Sequence, residues 1–389
     1  MMTCSRFAFK ASALVLLFAF FICMLNLLIR KRPTSTVRKT SDPDSWSIAE
    51  NKKLILAWTN FFDTPMTQAH YFGSCPHWVY QKCAFSSDRK NLKRADAVVF
   101  HGRMEDFHPQ DLPRYRASNQ RYVFLSHENP LYSTAAHLIP PNFINWTMTY
   151  RLDSDVPYPY KILRKRTQHT NESNTKRLMD GWRSLFKKKE KISIWMVSHC
   201  NTYSKREDYV KILARLTPVD IFGKCGREDA CPKNRGADCE ELIGREYKFH
   251  LALENAICKD YVTEKLWGRW QLPTVPIVLK RSIYTAFLPN DSFIALDDFK
   301  SPNHLAAYLH NLHNNPELYL KHFQWRTQYE EVSNRGGPET LTGFCRLCDM
   351  LWNSSLPEKS YKSLQEWWVE GSECDHGEFV KKLLADGGY

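Results

Sequence analysis

The stretch Tyr247–Val278, which reads YKFHLALENAICKDYVTEKLWGRWQLPTVPIV, is the most informative part of the chain. Its apolar runs Tyr247–Glu254 and Val275–Leu279 are of the kind that becomes a buried strand. Similar runs lie at Leu54–Phe61, Ala95–His101, Tyr122–Ser126, Ile144–Tyr150, Ile192–Ser198, Val219–Phe222 and Ser292–Leu296. Helical patterns such as Arg206–Leu216 and Asn303–His313 alternate with these runs. Strands that alternate with helices predict parallel sheets covered on both faces, and so an α/β fold with two Rossmann-like domains facing a cleft.

The polar segment between the two apolar runs carries groups that suit a nucleotide diphosphate. Asp260 can cap a helix that begins at Tyr261. Glu264 and Lys265 then follow at i+3 and i+4, so the three side chains would share one face of the first turns. A helix N-terminus after a strand favours phosphate, and Lys265 would add a positive charge. By spacing alone, however, a solvated surface cluster is the stronger interpretation.

The first residues predict a membrane anchor. Ala11–Ile29 are apolar except for Ser12 and Asn26, which is just long enough to cross a bilayer as a helix. No clear small-x-small cleavage site precedes Arg30, so an uncleaved signal anchor is favoured over a signal peptide. We expect a cytoplasmic tail at residues 1–10, the transmembrane signal anchor at 11–29 and a polar stem at 30–51. More Lys and Arg follow the span than precede it, which by itself favours the reverse topology, but the cysteines and glycosylation sites require a lumenal C-terminal portion.

The positive charge is concentrated in one segment. Residues 161–191 hold eleven Lys and Arg against three Asp and Glu, a net +8 of the +12 in the whole chain. Because no nucleic-acid-binding motif accompanies this run, we interpret it as a solvated linker. A length of 389 residues leaves room for about two domains, which we place at 52–160 and 192–350. The tail at 351–389 has no recognisable signature.

Cysteines and sequons indicate a secretory location. Ten cysteines follow the apolar span, an even number that predicts disulfides in an oxidising lumen. The N-x-S/T sequons lie at Asn145, Asn171, Asn290 and Asn353. Cys345 and Cys348 could instead form half a zinc site or a redox pair, but no second pair at similar spacing accompanies them.

The polar segment and its neighbours resemble the donor-binding signature of the α1,3-fucosyltransferases, the family that uses GDP-fucose. The matching segments are Tyr247–Asn255, Cys258, Asp260–Leu266 and Val275–Val278. A pattern this long is far more specific than a short glycine motif. The resemblance extends from about Leu54 to Met350. It implies a glycosyltransferase-B fold with an acceptor-side domain at 52–160 and a GDP-fucose-binding domain at 192–350, in a single-pass type II Golgi membrane protein.

The resemblance also implies the residues of the donor site. They are Arg206, Asn255, Tyr261, Glu264 and Lys265, with no metal ligand and no tightly bound cofactor. Arg206 follows a strand, Ser204 and Glu207 predict a capping box around it, and an Arg fork matches phosphate oxygens. Mn²⁺ or Mg²⁺ would at most stimulate turnover.

Glu128 is the general base that the resemblance implies. It lies in Ser126–Pro130, SHENP, which is similar to a His-Glu-Ser-Pro segment of the family. His127 is the competitor, because its ordinary pKa is closer to neutral. The implied reaction is inverting transfer of L-fucose from GDP-β-L-fucose, in α1,3-linkage, to GlcNAc of a glycoprotein or glycolipid glycan. Antennal and innermost GlcNAc residues are both open as acceptors.

Two other functions are considered. Asp153 and Asp155 form a D-x-D pattern, which holds a metal against the donor diphosphate in glycosyltransferases of the other major fold. They lie, however, in a segment that matches the acceptor domain of the family. A catalytically silent glycan- or nucleotide-sugar-binding membrane protein is the second alternative. Against it stands the retention of the base and the donor ligands, which are Glu128, Arg206, Tyr261, Glu264 and Lys265. The chain departs from the family pattern at His199, Gly268–Thr274 and Lys280.

The resemblance further implies a set of disulfides. Cys75 and Cys83 would pair with Cys345 and Cys348, and Cys200 would pair with Cys258. The remaining cysteines are Cys225, Cys231, Cys239 and Cys374. Four cysteines allow three connectivities, and the sequence does not choose among them.

Overall fold

The computed structural model describes residues 51–167, 171–228, 236–332 and 340–389. The expected cytoplasmic tail, the anchor at 11–29 and the stem up to residue 50 lie outside the described residues, as does Cys231. Within the described ranges, no helix is both long enough and apolar enough to cross a bilayer.

The strands of the described chain are β1 (Lys53–Ala57), β2 (Cys83–Ser86), β3 (Ala97–His101), β4 (Arg121–Ser126), β5 (Trp146–Thr149), β6 (Leu163–Lys165), β7 (Lys191–Met196), β8 (Val219–Phe222), β9 (Tyr247–Leu251), β10 (Val275–Val278), β11 (Ile294–Ala295) and β12 (Tyr329–Glu331). The helices are α1 (Gln68–Phe72), α2 (His77–Lys82), α3 (Glu172–Lys188), α4 (Arg206–Leu216), α5 (Gly236–Glu246), α6 (Glu264–Trp267), α7 (Arg281–Tyr284), α8 (Pro302–Asn314), α9 (Pro316–Lys321), α10 (Gly343–Leu351), α11 (Leu364–Trp368) and α12 (Glu378–Asp386). Short 3₁₀ turns lie at Arg89–Arg94, Met104–Asp106, Pro109–Asp111, Ala135–Leu138, Asn290–Ser292, Leu296–Asp298, Gln324–Thr327 and Glu370–Ser372.

Two parallel sheets form the framework, as the alternation of strands and helices predicts. The first sheet has the order β2-β1-β3-β4-β5 and the second has the order β11-β10-β9-β7-β8. All pairings within both sheets are parallel. Strands β3 and β9 are buried at every residue, because helices and loops cover both faces of a parallel sheet. Their sequences are therefore continuous apolar runs with little alternation.

The C-terminal segment covers both faces of the first sheet. Successive residues of β1 enter different core clusters: Ile55 packs on one face of the sheet and Leu56 on the other. Leu347 of α10 joins the first of these clusters, and Trp368 of α11 joins the second. We call the first sheet with these covering elements the first half of the fold. The expected boundary at residue 350 therefore runs through α10, which belongs to the first half.

The second half is built around the second sheet. Its main core cluster combines Phe249 of β9 with Leu213 of α4 and Leu309 of α8. After α11 the chain returns to this half, where Val380 of α12 joins the same cluster. The tail at 351–389 thus contributes a helix to each half, which its sequence did not indicate.

The expected linker at 161–191 is only partly irregular. Strand β6 pairs antiparallel with β12, and α3 forms a 17-residue helix whose first turn is capped by Asn171. Phe186 anchors α3 in the core of the second half, with its ring centroid 5.0 Å from that of Tyr319. Lys176 and Arg177 remain exposed, in keeping with a solvated charge run.

Two disulfides close the first half on itself. Cys75 is bonded to Cys345 and Cys83 to Cys348, which ties the segment around α2 to helix α10. The resemblance implied that these two sets of cysteines pair with each other, and the structure confirms this prediction.

The expected Cys200–Cys258 bond is wrong. Cys200 is bonded to Cys225, and Cys258 is bonded to Cys374. Cys200 and Cys225 follow β7 and β8, which are paired neighbours, so their Cα atoms lie only 5.4 Å apart. Cys258 lies against the C-terminal segment, whose course past this loop no motif predicts.

Candidate active site

A cavity of about 820 Å³ opens at the carboxyl edge of the second sheet. It is lined by residues that end or follow β7, β8 and β9 and by side chains of α5 and α6, and Glu128 of the first half contributes to its wall. Ligands of open parallel sheets bind at this edge, and the volume is in the range of small-molecule sites.

Helix α6 begins later than the sequence predicts. Asp260 has a left-handed backbone with a φ of 60°, and Thr263 is extended, so the chain becomes helical only at Glu264. Thr263 is the N-cap and accepts a hydrogen bond from the backbone N–H of Lys265. Glu264 and Lys265 both line the cavity. Tyr261 therefore does not share a helical face with them.

Lys265 lies among three acceptors. Its Nζ is 3.1 Å from Glu254 Oε2, 3.1 Å from Glu264 Oε1 and 3.0 Å from Thr263 Oγ1. Burial by itself would lower the pKa of Lys265, but the two carboxylates more than offset this and the pKa is raised. The ammonium therefore stays charged in the wall of the cavity, where it can meet a phosphate.

Glu254 is a site residue that the sequence analysis missed. Its side chain is 2% exposed and accepts hydrogen bonds from Thr263 N at 2.8 Å and Thr263 Oγ1 at 2.7 Å, besides the ion pair with Lys265. Burial raises the pKa of Glu254, while the nearby ammonium opposes the rise. Glu254 ends the apolar run that begins at Tyr247, and an acidic residue buried with such a run needs a partner, which was the available signal.

Arg206 is the first residue of α4 and lines the cavity. Its guanidinium is buried, donates from Nη1 to Leu253 O and donates from Nη2 to His199 O at 3.1 Å. Burial lowers the pKa of Arg206, opposed first by Glu254. Because an arginine has five N–H groups, these two bonds leave donors for an anion in the cavity.

The expected capping box before α4 does not form. Lys205, in the left-handed region with a φ of 55°, occupies the N-cap position. The Ser204 hydroxyl instead donates to Glu254 O at 2.8 Å, and Glu207 accepts from Thr202 N at 2.8 Å. The bond from Ser204 thereby fixes the loop that precedes Arg206 to the segment that follows β9.

Glu128 meets the second half through Tyr261. The Tyr261 hydroxyl donates to Glu128 Oε1, and it also lies 3.1 Å from Asn255 Oδ1. Asn129 donates to the same carboxylate oxygen from its backbone N at 3.1 Å and from Nδ2 at 2.6 Å. Burial raises the pKa of Tyr261 well above its ordinary value, so the phenol remains a donor.

The cavity thus brings a carboxylate from the first half together with cations of the second half. Of the sequence-predicted residues, Glu128, Arg206, Asn255, Glu264 and Lys265 line it. Tyr261 joins Glu128 to Asn255 just beyond this lining. Such an arrangement can accept a proton at one side of a bound ligand and stabilise a leaving anion at the other.

Comparison with known proteins identifies the family. A fucosyltransferase N-terminal family model matches residues 50–161, and the model of glycosyltransferase family 10 (fucosyltransferase), C-terminal part, matches residues 186–367. The chain belongs to glycosyltransferase family 10. It is therefore an enzyme of the fucosyltransferase family, and the resemblance seen in the sequence is confirmed.

Similar proteins come from several animals. α-(1,3)-Fucosyltransferase fut-1 of Caenorhabditis elegans is 34% identical over 370 residues, which cover 93% of this chain and 77% of that protein. α-(1,3)-Fucosyltransferase C of Drosophila melanogaster is 31% identical, with coverage of 82% and 78%. A crystal structure described as α1,3-fucosyltransferase is 18% identical with a TM-score of 0.48, and covers 87% of this chain and 92% of that one.

Within this family 10 chain, His127 is poorly placed to act as the base. Its ring packs against those of Tyr158 and Tyr160, with centroids 4.1 Å and 5.2 Å away. Burial lowers the pKa of His127 to about 4, which leaves the imidazole neutral and weakly basic. Its Nε2 is buried and has no hydrogen-bond partner among the described residues. Glu128 is the better candidate on geometry.

The D-x-D carboxylates are engaged elsewhere. Asp153 accepts a bidentate pair from Arg151, at 2.8 Å and 2.6 Å, and a bond from Lys259 at 3.0 Å. Asp155 accepts from Lys359 at 2.6 Å. Neither carboxylate lines the cavity, and the described residues contain no group of three or more His, Cys, Asp and Glu arranged to hold a metal. These ion pairs give the two aspartates a structural role.

The sequons differ in their surroundings. Asn171, Asn290 and Asn353 are exposed. The Asn145 side chain instead accepts from Tyr122 N at 2.8 Å and donates to Lys359 O at 2.8 Å, so it connects two parts of the first half. Glycosylation at all of these positions stays a prediction, and Asn145 is the least compatible with it.

Proposed function

We propose that the chain transfers L-fucose from GDP-β-L-fucose, with inversion, to O3 of a GlcNAc residue on glycoprotein glycans. Similarity to proteins named α-(1,3)-fucosyltransferases supports the linkage. The observation that carries the mechanism is the contact of Glu128 with Tyr261 beside a cavity that also contains Lys265 and Arg206.

Donor binding would rest on the second half. The edge of a parallel sheet receives the nucleotide, and its diphosphate would meet Lys265 and Arg206. Two fixed cations supply the charge that a metal ion supplies in D-x-D enzymes, so we expect Mn²⁺ or Mg²⁺ only to stimulate product release. Glu264, whose side chain is 64% exposed, is placed to accept from sugar hydroxyls.

Proton removal would rest on the first half. Oε1 of Glu128 is held by Tyr261 and Asn129, whereas the described residues make no hydrogen bond to Oε2. This free oxygen is the one we assign to the acceptor hydroxyl. A single displacement from the face opposite the diphosphate converts a β-linked donor into an α-linked product and needs one base and no nucleophilic carboxylate.

The cellular setting follows from the sequence and belongs to the same proposal. A single-pass type II anchor with the catalytic part in the Golgi lumen agrees with the disulfides and sequons of the chain. The acceptor is then a glycan on a glycoprotein, or on a glycolipid, in transit through that compartment.

The test is a transfer assay with the soluble fragment that starts at Lys52. GDP release from GDP-fucose is measured across a panel of defined glycans that separates antennal from innermost GlcNAc acceptors, with acceptor omitted as the control. NMR of the product should show an α-anomer linked to O3. Tight binding of GDP without transfer to any acceptor would favour the catalytically silent alternative.

A further inference from the structure

The loop that presents Tyr261 has an unusual backbone. This donor loop, Ile257–Thr263, connects the end of the β9 segment to α6 and contains Asp260 with a φ of 60°. Side chains other than glycine rarely adopt this conformation, and it persists where neighbouring groups determine it strongly. The contacts around the loop show which groups do so.

Four C-terminal residues, Ser372–Asp375, hold one side of the donor loop. The Cys258–Cys374 disulfide joins the two segments covalently. On either side of it, Lys259 N donates to Ser372 O at 2.8 Å and Asp375 N donates to Ile257 O at 2.7 Å. The pairing of Ile257 with Asp375 is an antiparallel bridge. We call Ser372–Asp375 the clamp.

The first half holds the other side of the loop. Asp260 Oδ2 accepts from Leu152 N at 3.0 Å, and Lys259 Nζ donates to Asp153 at 3.0 Å. Arg151, which is buried, connects this first-half segment to the clamp because its Nη1 lies 3.2 Å from Ser372 Oγ. The donor loop therefore lies between two supports that are themselves linked.

These contacts determine where the Tyr261 hydroxyl lies. Tyr261 follows Asp260 directly, and its hydroxyl reaches Glu128 of the first half. A displacement of the loop by a fraction of a hydrogen-bond length would break the bond from Tyr261 to Glu128. In the proposed mechanism this bond orients Glu128 as the base. We propose that the clamp, together with Asp260, positions Tyr261 against Glu128 for fucosyl transfer. This inference rests on the proposed function.

Removal of the clamp disulfide is the first test, with a matched control elsewhere in the fold. The variant pair is C258S/C374S, and the control is C83S/C348S in the first half. Like the clamp bond, the control bond joins the C-terminal part of the chain to an earlier segment, but it lies in the first half, away from the donor loop, and thermal unfolding of both variants compares their losses of stability. We expect kcat to fall by about 10–100-fold in the clamp variant and to stay near wild type in the control. The Kd for GDP, measured by calorimetry, should change little in both.

The split between turnover and donor binding separates positioning from stability. A displaced Tyr261 hydroxyl should lower kcat and leave the Kd for GDP unchanged. A general loss of stability would instead lower kcat together with the fraction of protein that binds GDP.

Asp260 gives a test that keeps all disulfides. Asp260→Gly accepts the left-handed backbone but loses the bond to Leu152, so kcat should fall with little loss of thermal stability. Asp260→Asn keeps an acceptor oxygen and tolerates this backbone, so it should restore kcat. Wild-type kcat in both C258S/C374S and Asp260→Gly would overturn the proposal that the clamp positions Tyr261. A loss of kcat in the control C83S/C348S equal to that in C258S/C374S would also overturn it. An unmodified protein that binds GDP but transfers no fucose would refute the proposed function instead.

Discussion

Replacement of Lys265 by alanine tests whether this ammonium provides the charge for the donor diphosphate. Lys265 Nζ lies 3.1 Å from the carboxylate of Glu254, and Lys265 lines the cavity. The substitution should therefore affect both donor binding and the stability of the fold. Loss of one preorganised donor to a developing anion lowers kcat by roughly 10²–10³-fold, or about 3–4 kcal/mol. We expect a loss of this size in kcat/KM and a weaker affinity for GDP.

The same substitution also destabilises the fold. It leaves Glu254, which is 2% exposed, without its cation. Removing one partner of a buried pair costs about 3–5 kcal/mol, and the 24% exposure of Lys265 reduces the expected loss to roughly 1–3 kcal/mol. Burial raises the pKa of Glu254, so the variant relieves the penalty by binding a proton at low pH. The stability loss is present in full above this raised pKa and shrinks as the pH falls through it.

The assay compares Lys265→Ala with the double variant E254Q/K265A. Urea denaturation at several pH values gives the free energy of unfolding, calorimetry gives the Kd for GDP, and transfer gives kcat. The neutral glutamine side chain that replaces Glu254 should restore most of the stability without restoring catalysis. Recovery of wild-type kcat in the double variant would refute the reasoning, because Lys265 would then serve the fold alone.

Three further outcomes are expected. The variant Asp155→Asn, and the wild type with added EDTA, should both transfer fucose at a near wild-type rate, since Asp155 pairs with Lys359 and lies outside the cavity. Loss of activity in both experiments would favour the D-x-D interpretation. His127→Asn should lower turnover far less than substitution of Glu128, and the opposite order would show that the base is misassigned. Asn145→Gln should lower the free energy of unfolding by about 1–3 kcal/mol without changing gel mobility. Asn353→Gln should instead raise gel mobility, because it removes one glycan. A mobility shift for Asn145→Gln would contradict the structural role of Asn145.

The sequence predicted the sheets well because buried parallel strands are apolar on both faces. The run Tyr247–Glu254 contains β9 and the run Ala95–His101 contains β3, and both strands are buried at every residue. Strand β2, by contrast, is an edge strand of only four residues, and nothing in its sequence distinguishes it from a loop. Strand β2 is defined by its pairing with β1, which a single-sequence pattern does not show.

The candidate site was predicted through its family signature, and its local geometry was not. Lys265 lines the cavity, but the expected helix start at Tyr261 was wrong, because the backbone is still extended at Thr263, which is the N-cap. Glu254 was missed because its partner Thr263 is nine residues away, beyond the reach of any helical or strand period. The bond between Cys258 and Cys374 was missed for a similar reason, since 116 residues separate them.

The most direct test of the account is turnover of Glu128→Gln with GDP-fucose and a GlcNAc acceptor. The Gln amide oxygen can take the place of Oε1 and keep the bonds from Tyr261 and Asn129, so the substitution removes the base with little change in shape. We predict a fall in kcat of roughly 10²–10⁴-fold with an unchanged Kd for GDP. Near-normal kcat in this variant would contradict the assignment of Glu128 as the general base.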